Sequence, residues 1–270
     1  MSALFLTSAL TSILAVLLIC LFLFINGLPA MAKIGVFEFL FGRVWSPSDI
    51  PPLFGLLPMI VGSLYVTAGA ILIGVPIGLL TAIFLARACP KPLYKILKPC
   101  VDLLAGIPSV VYGFFGMMAI VPITGNSILT ACILLGIMIL PTIIALAESA
   151  LRAVPEQYYE GALALGAGHY RSVFWVIAPA ARSGILAAVI LGIGRAIGET
   201  MAVIMVMGNQ ARMPVSIFEG ARTLTGNIVL EMGYAAGLHR EALIATSVVL
   251  FVFILIINFS FSALQRREKH

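Results

Sequence analysis

An arginine and a glutamate interrupt a run that is otherwise apolar. Residues 184–208 read GILAAVILGIGRAIGETMAVIMVMG, and their only charges are Arg195 and Glu199. Placing either charge near a bilayer centre costs about 2.5–3.5 kcal/mol on insertion scales. Such residues are rare in spanning helices and belong to polar pathways or buried pairs. In a continuous helix the i, i+4 spacing puts both on one face about one turn apart, and pairing makes them net neutral. Arginine suits an oxyanion because its planar fork donates two hydrogen bonds at once. Two chemistries therefore fit. The pair either fixes helix packing, or Arg195 attracts an anion along a pathway while Glu199 holds or releases it as the helices shift.

The surrounding chain has to position these charges in a membrane. It has 270 residues, 61% hydrophobic and 10% charged, with mean hydropathy +1.14. A soluble domain carries about 25% charged residues, so a soluble fold is excluded and no length remains for a soluble catalytic domain. About 20 apolar residues span the hydrocarbon core as a helix. Six stretches qualify: 3–25, 60–86, 103–123, 127–147, 184–208 and 242–263. They are too continuous for the strands of a β-barrel, which alternate over about ten residues. The pattern predicts an all-α membrane protein, one domain over residues 1–270 with six transmembrane helices.

Basic residues set the orientation. Arg87, Lys91, Lys95 and Lys98 follow the second stretch, Arg152, Arg171 and Arg182 lie between the fourth and fifth, and Arg266, Arg267 and Lys269 follow the sixth. By the positive-inside rule these regions are cytoplasmic, which places both termini inside. On the other side Lys33, Arg43, Arg212, Arg222 and Arg240 are largely offset by Glu38, Asp49, Glu219, Glu231 and Glu241. The net charge of +5 is thus a topology signal and predicts no nucleic-acid partner. The first stretch lacks a basic leader and exceeds the usual 7–15-residue apolar core of a signal peptide, so it is expected to be retained. Cys20, Cys89, Cys100 and Cys132 form no Cys-x-x-Cys motif, and His169, His239 and His270 are scattered; neither set predicts a metal site.

Stretches two and three are rich in Gly and Pro: Gly69, Gly74, Pro76 and Gly78, then Gly106, Pro108, Gly113 and Gly116. Small residues let membrane helices approach closely, and prolines leave kinks whose freed carbonyls need partners. These residues suit either bent helices along a gated pathway or ordinary bundle packing. Ser109, Tyr112, Thr124 and Asn126 are candidates for polar lining. The outer segment 209–241 is long enough for a lid or docking surface.

The cytoplasmic segment between stretches four and five is organised. Pro155 suits a first helical position, Glu156 and Glu160 fall in the N-terminal half, and Gly166 suits the stop. A second amphipathic piece, 169–178, is expected to end before Pro179. Read on physics alone, these are interfacial helices with Tyr158, Tyr159 and Trp175 at the headgroups. The spacing Glu160, Gly161, Ala162, three residues, Gly166, nine residues, then Val176, Ile177, Ala178 and Pro179 also resembles the EAA loop of ABC importer membrane subunits. Gly161, Val176 and Ala178 depart from the consensus by small replacements. The resemblance implies a coupling helix, over about 150–180, that docks into an ATP-binding subunit. The chain itself has no G-x-x-x-x-G-K-[ST] phosphate loop.

The residues from Gly194 to Val203 resemble the PstC-type permease subunits of phosphate ABC importers. The similarity continues through Met207, Gly208 and Asn209, Ser216 to Phe218, Ala221 to Thr225, Asn227 to Met232, and Leu250 to Phe253 near Asn258. It covers roughly the last 120 residues strongly and the rest by topology. It implies the MetI-like permease fold of type I importers, with Arg195, Glu199 and Thr200 at the pathway or gate and no catalytic residue. It also implies a PstA-like sister subunit, two copies of a PstB-like ATP-binding subunit that uses ATP and Mg, and a PstS-like extracytoplasmic phosphate-binding protein. Cofactors are expected on the partners and none on this chain. Sulfate and molybdate permeases carry a similar R-A-x-G-E run but usually an aromatic residue where this chain has Thr200. They remain the neighbouring reading, alongside the PstA-like sister. An ion-coupled secondary transporter would leave the EAA loop unexplained.

Overall fold

The computed structural model describes residues 2–267, with side chains from 4 to 260. Lys269, His270 and the side chains of Arg266 and Arg267, on which the orientation argument partly draws, lie outside the described residues.

The first helix, α1 (Ser2–Ile34), runs past the expected end at residue 25, because no stop occurs before Gly35, whose φ is +96°. It leans on the rest of the chain only near its later part. Gly27 sits so close to Val248 that an added Cβ would lie 2.7 Å from Val248 Cγ2, and Phe24 meets Phe251 edge-on. Its earlier turns present bare apolar side chains. A short helix α2 (Val36–Phe41) and a two-stranded hairpin follow. In that hairpin β1 (Trp45–Ser46) pairs antiparallel with β2 (Leu53–Phe54), Trp45 opposite Phe54.

The centre of the fold is a pair of long helices, α3 (Leu57–Ile83) and, further along the chain, Ile128–Arg152. A wide π-helical turn, Phe84–Ala88, ends the first of these. Their contact explains the glycines of stretch two. An added Cβ would lie 2.2 Å from Cys132 Sγ at Gly69, 2.7 Å from Ile139 at Gly74 and 2.9 Å from Ile143 at Gly78. Here the small residues are a packing stripe that brings two spanning helices together.

Stretch three is not the single straight helix expected over 103–123. Helix α4 (Lys91–Gly106) meets Ser109–Thr124 at a bend of 99°. Ile107 precedes Pro108 and is extended (φ −71°, ψ 126°), the conformation that the proline ring forces on its predecessor. Beyond the elbow lie α5 (Ser109–Phe115), a π-helical turn Gly116–Ile120 and α6 (Val121–Thr124). Gly125, at φ +73°, turns the chain into α7 (Ile128–Arg152), whose first turn is capped by Ser127. Gly113 packs on Ala202 and Met205, and Gly116 on Leu134 and Val206, so these too are contact positions.

Next come α8 (Glu156–Ala164), α9 (His169–Ser172), a π-helical turn Val173–Ile177 and α10 (Ala178–Ala180). The second piece does not stop before Pro179. Ala178 N donates to Val173 O, five residues back, and this wider register accommodates a residue that has no N–H of its own. After a 72° bend the chain enters α11 (Arg182–Gly198), then α12 (Met201–Val206), α13 (Leu224–Glu231) and α14 (Gly237–Arg267). Among the described residues, four helices are long and apolar enough to cross a membrane, and six crossings result if each bent pair counts as one. Buried apolar side chains form three clusters: between α3, α7, α11 and α12, around Trp45 and Phe54, and around Leu151 and Ile177.

Candidate translocation and coupling sites

Arg195 and Glu199 do not share a helical face. The fifth stretch breaks after Gly198, where Glu199 is extended (φ −71°, ψ 130°) and Thr200 is also non-helical. The expectation of an i, i+4 pair fails for that reason, and no ion pair joins the two among the described residues. Arg195, half-buried near the end of α11, donates from one terminal nitrogen to Thr142 Oγ1 on α7 at 3.1 Å. The close approach of α11 to α7 that allows this bond comes from Gly192, where an added Cβ would lie 2.9 Å from Ile143.

Glu199 turns back on the chain. Its Oε1 accepts the backbone N–H of Thr200 at 3.1 Å and of Ala202 at 3.3 Å. A broken helix exposes backbone donors that hydrocarbon cannot satisfy, and the carboxylate supplies their acceptor. It therefore acts as the cap of α12, with Thr200 Oγ1 bonded to Gly198 O at 3.2 Å. Non-helical backbone at membrane depth is tolerated only where protein or a polar cavity surrounds it. Protein supplies the neighbours here. Thr225 Oγ1 bonds to Glu199 O at 3.3 Å, and Ser63, Thr67, Thr223 and Glu199 edge a cavity of about 10 Å³, room for at most one water.

A second polar assembly covers the break. Leu224 N bonds to Ser63 Oγ at 2.9 Å, which seats α13 on α3. The far end of α13 carries Glu231, whose carboxylate is 7% exposed and receives Trp45 Nε1 at 2.9 Å, His239 Nε2 at 2.8 Å and the Arg222 guanidinium. Arg222 also donates to Asn227 Oδ1 at 2.9 Å and to Asn209 O at 3.0 Å. The segment read as long enough for a lid or docking surface also serves as a buttress. It ties the hairpin, α13 and the start of α14 together over the Glu199 break. The sequence places Arg222 and Glu231 among surface charges; their burial depends on His239, eight residues beyond Glu231, and on Trp45, 186 residues before it.

The loop between α7 and α11 presents its motif outward. Glu160, Gly161 and Gly166 are exposed, whereas Ala162 is buried. Helix α8 ends as the Gly166 spacing predicts. Gly166 takes φ +85°, its N–H bonds to Leu163 O at 2.9 Å, and Ala167 N bonds to Ala162 O at 3.1 Å. This paired closure is the Schellman stop, and it needs a residue tolerant of positive φ. Tyr159 Oη meets His169 Nδ1 at 2.7 Å and fixes the second piece against α8. From behind, Arg87 holds the root of the loop, bonding to Leu151 O at 2.9 Å and to Glu156 at 2.8 Å. Pro179 is exposed beyond the π-helical turn. Leu165 is 91% exposed, and Tyr170 and Trp175 are also bare. Val154, Pro155, Tyr158, Ala181 and Gly184 line a cleft of about 350 Å³. Exposed apolar side chains on an organised loop suit either a docking surface or the headgroup region of a membrane.

Known proteins resemble this chain in sequence and fold. Residues 74–270 match the family described as binding-protein-dependent transport system inner membrane component. The chain is 40% identical to the probable ABC transporter permease protein YqgH of Bacillus subtilis, over 93% of this chain and 86% of that protein. It is 35% identical to the phosphate transport system permease protein PstC of Mesorhizobium japonicum, covering 85% and 78% of the two chains. A probable PstC of Methanocaldococcus jannaschii is 32% identical, covering 88% and 84%. Among solved structures, the fold resembles the MetNI methionine ABC transporter in an inward-facing conformation (TM-score 0.67, 22% identity, covering 78% of this chain and 95% of that one). It also resembles a bacterial alginate ABC transporter solved with its alginate-bound periplasmic protein (TM-score 0.72, 16% identity, covering 98% and 94%).

Proposed function

Because the chain belongs to the family of binding-protein-dependent transport system inner membrane components, we propose that it is the permease subunit of an ATP-driven importer of inorganic phosphate. The observation that carries the cargo is the similarity to several PstC proteins at 30–35% identity over most of the chain. The bond geometry is compatible with it. Arg195 holds a charged fork at the break in the fifth span, and Thr142 occupies one of its donors. Glu199 spends its carboxylate on α12, so it acts on the anion through the shape of the break and not as a direct ligand.

On this reading the subunit lies in the prokaryotic inner membrane with both termini and the α8 loop in the cytoplasm. A PstA-like sister completes the pathway, and a PstS-like binding protein delivers phosphate at the outer face, above the Glu231 buttress. Two PstB-like subunits hydrolyse ATP with Mg and pull on α8 through Glu160, Gly161, Ala162, Gly166 and Pro179. Residues Arg195, Glu199 and Thr200 form the gate that the pull opens. The exposed Leu165, Tyr170 and Trp175 around a rigid loop support α8 as the docking element. The reading is tested by co-purification. Expression with the three partner types gives a stable complex, and Glu160→Lys removes the ATP-binding subunits while the chain still inserts. A complex that survives Glu160→Lys and also loss of the Gly166 turn contradicts the docking assignment.

A further inference from the structure

Between the coupling loop and the gate lies a cluster of charges that neither site uses. Glu148, on the last turns of α7, is 3% exposed. Its Oε1 accepts from Tyr94 Oη on α4 at 2.8 Å and from Arg152 Nε at 2.8 Å. Its Oε2 lies 3.3 Å from Lys98 Nζ, yet no aligned hydrogen bond reaches that oxygen. Lys98 is simultaneously 3.1 Å from Asp102, one turn along α4. Arg152 lies over the Tyr94 ring at 4.7 Å and donates to Leu85 O on the turn that ends α3. A buried ion pair is a weak source of stability, because well-packed apolar residues often do as well. Its better-attested use is to choose between discrete arrangements.

The connections on either side of this cluster are short. Toward the cytoplasm, α7 leads through Ala153, Val154 and Pro155 directly into α8. Toward the gate, α4 leads through the 99° elbow into α5. There Gly113 is held so close to α12 that an added Cβ would lie 2.6 Å from Met205 Sδ and 3.0 Å from the Ala202 Cα. Ala202 is the residue whose N–H Glu199 caps.

We propose that Glu148 and Lys98 form a latch that passes movement of α8 to the gate through α4 and α5. In one state Lys98 aligns with Glu148 and couples α4 to α7. In the other it moves to Asp102, the Tyr94 bond to Glu148 breaks as well, and α4 slides free of α7. The loose 3.3 Å contact beside the 3.1 Å one is the arrangement such an exchange requires. Glu148, Lys98 and Asp102 are positioning residues that contact no cargo. The proposal rests on the reading of α8 as the coupling helix.

The test uses the whole complex in vesicles, with phosphate uptake and ATP hydrolysis measured together. Failure of the wild-type complex to take up phosphate with ATP overturns the importer reading and the latch that rests on it, so wild-type uptake is established first. Given wild-type uptake, Glu148→Gln and Lys98→Met keep assembly and ATP hydrolysis and lower phosphate moved per ATP by about tenfold, within the range of coupling between sites. Asp102→Asn is the variant that separates a latch from a strut. Asp102 is exposed, and an exposed pair adds little stability, so a structural role leaves this variant at the wild-type ratio. The latch predicts a fall of about fivefold with unchanged thermal stability. If Glu148→Gln fails to assemble, Lys98→Met and Asp102→Asn decide. A wild-type ratio in both overturns the proposal, as does a loss of hydrolysis and uptake in parallel.

Discussion

Replacing Glu199 with alanine removes the acceptor of two backbone donors at once, Thr200 N–H at 3.1 Å and Ala202 N–H at 3.3 Å. A hydrogen bond to a charged group contributes about 1.5–3 kcal/mol, and losing a helix cap costs about 0.5–2 kcal/mol. The longer bond to Ala202 belongs at the low end, so the expected cost is about 2–4 kcal/mol, concentrated on the first turn of α12. Glutamine keeps an oxygen in the same place and loses only the charge, so Glu199→Gln should cost about 1 kcal/mol. Amide hydrogen exchange reads this directly, because each 1.4 kcal/mol of local opening is about a tenfold change in an equilibrium constant. The purified complex in mild detergent is the sample. In Glu199→Ala the amides of 200–202 exchange at least about tenfold faster than in wild type, while those of α3 and α7 stay protected. Glu199→Gln sits close to wild type. Unchanged exchange at 200–202 in Glu199→Ala would refute the cap and restore a free carboxylate in the pathway.

Other perturbations follow from the same contacts. Arg195→Ala keeps assembly and abolishes uptake, and Arg195→Lys recovers little, because a lysine lacks the planar fork; uptake by vesicles checks both. Gly69→Val drives a side chain into Cys132 and costs about 1–3 kcal/mol or more of stability, visible as a lower denaturation midpoint and poor assembly. Gly166→Val forces a β-branched residue to φ +85° at a cost of about 1–3 kcal/mol, and co-purification of the ATP-binding subunits falls while the spans stay intact. Trp45→Phe removes one donor from the buried Glu231 and loosens the buttress by about 1.5–3 kcal/mol, seen as faster proteolysis of the 209–236 segment.

The apolar runs predicted six crossings, and six result when the two bent pairs are each counted once. Hydropathy reports length and polarity, so it finds apolar runs and is blind to the breaks inside them. The elbow at Ile107 was legible in principle from Pro108, since a residue before proline avoids the helical region. The break at Glu199 was not, because Gly198 alone does not stop a helix and the cap is made by a side chain that periodicity reads as helical. Gly166 was placed correctly because its role is local and its stop needs only a positive φ. Glu148 and Glu231 escaped notice for the opposite reason. Their partners, Tyr94 and Lys98 for one, Trp45 for the other, lie 54, 50 and 186 residues away. One sequence shows such charges as surface residues, and only the packing of helices turns them into buried junctions. Basic clustering assigned a side to the loops.

The central claim is that this chain moves phosphate through a gate at Arg195 with energy drawn from ATP-binding partners. Its most direct test is uptake of radiolabelled phosphate by the reconstituted complex, in the presence and absence of ATP, with sulfate and molybdate as competitors. Uptake should require ATP and the binding protein, disappear in Arg195→Ala, and be displaced by unlabelled phosphate but not by sulfate or molybdate. Uptake without ATP, or displacement by sulfate or molybdate as readily as by phosphate, would contradict the claim.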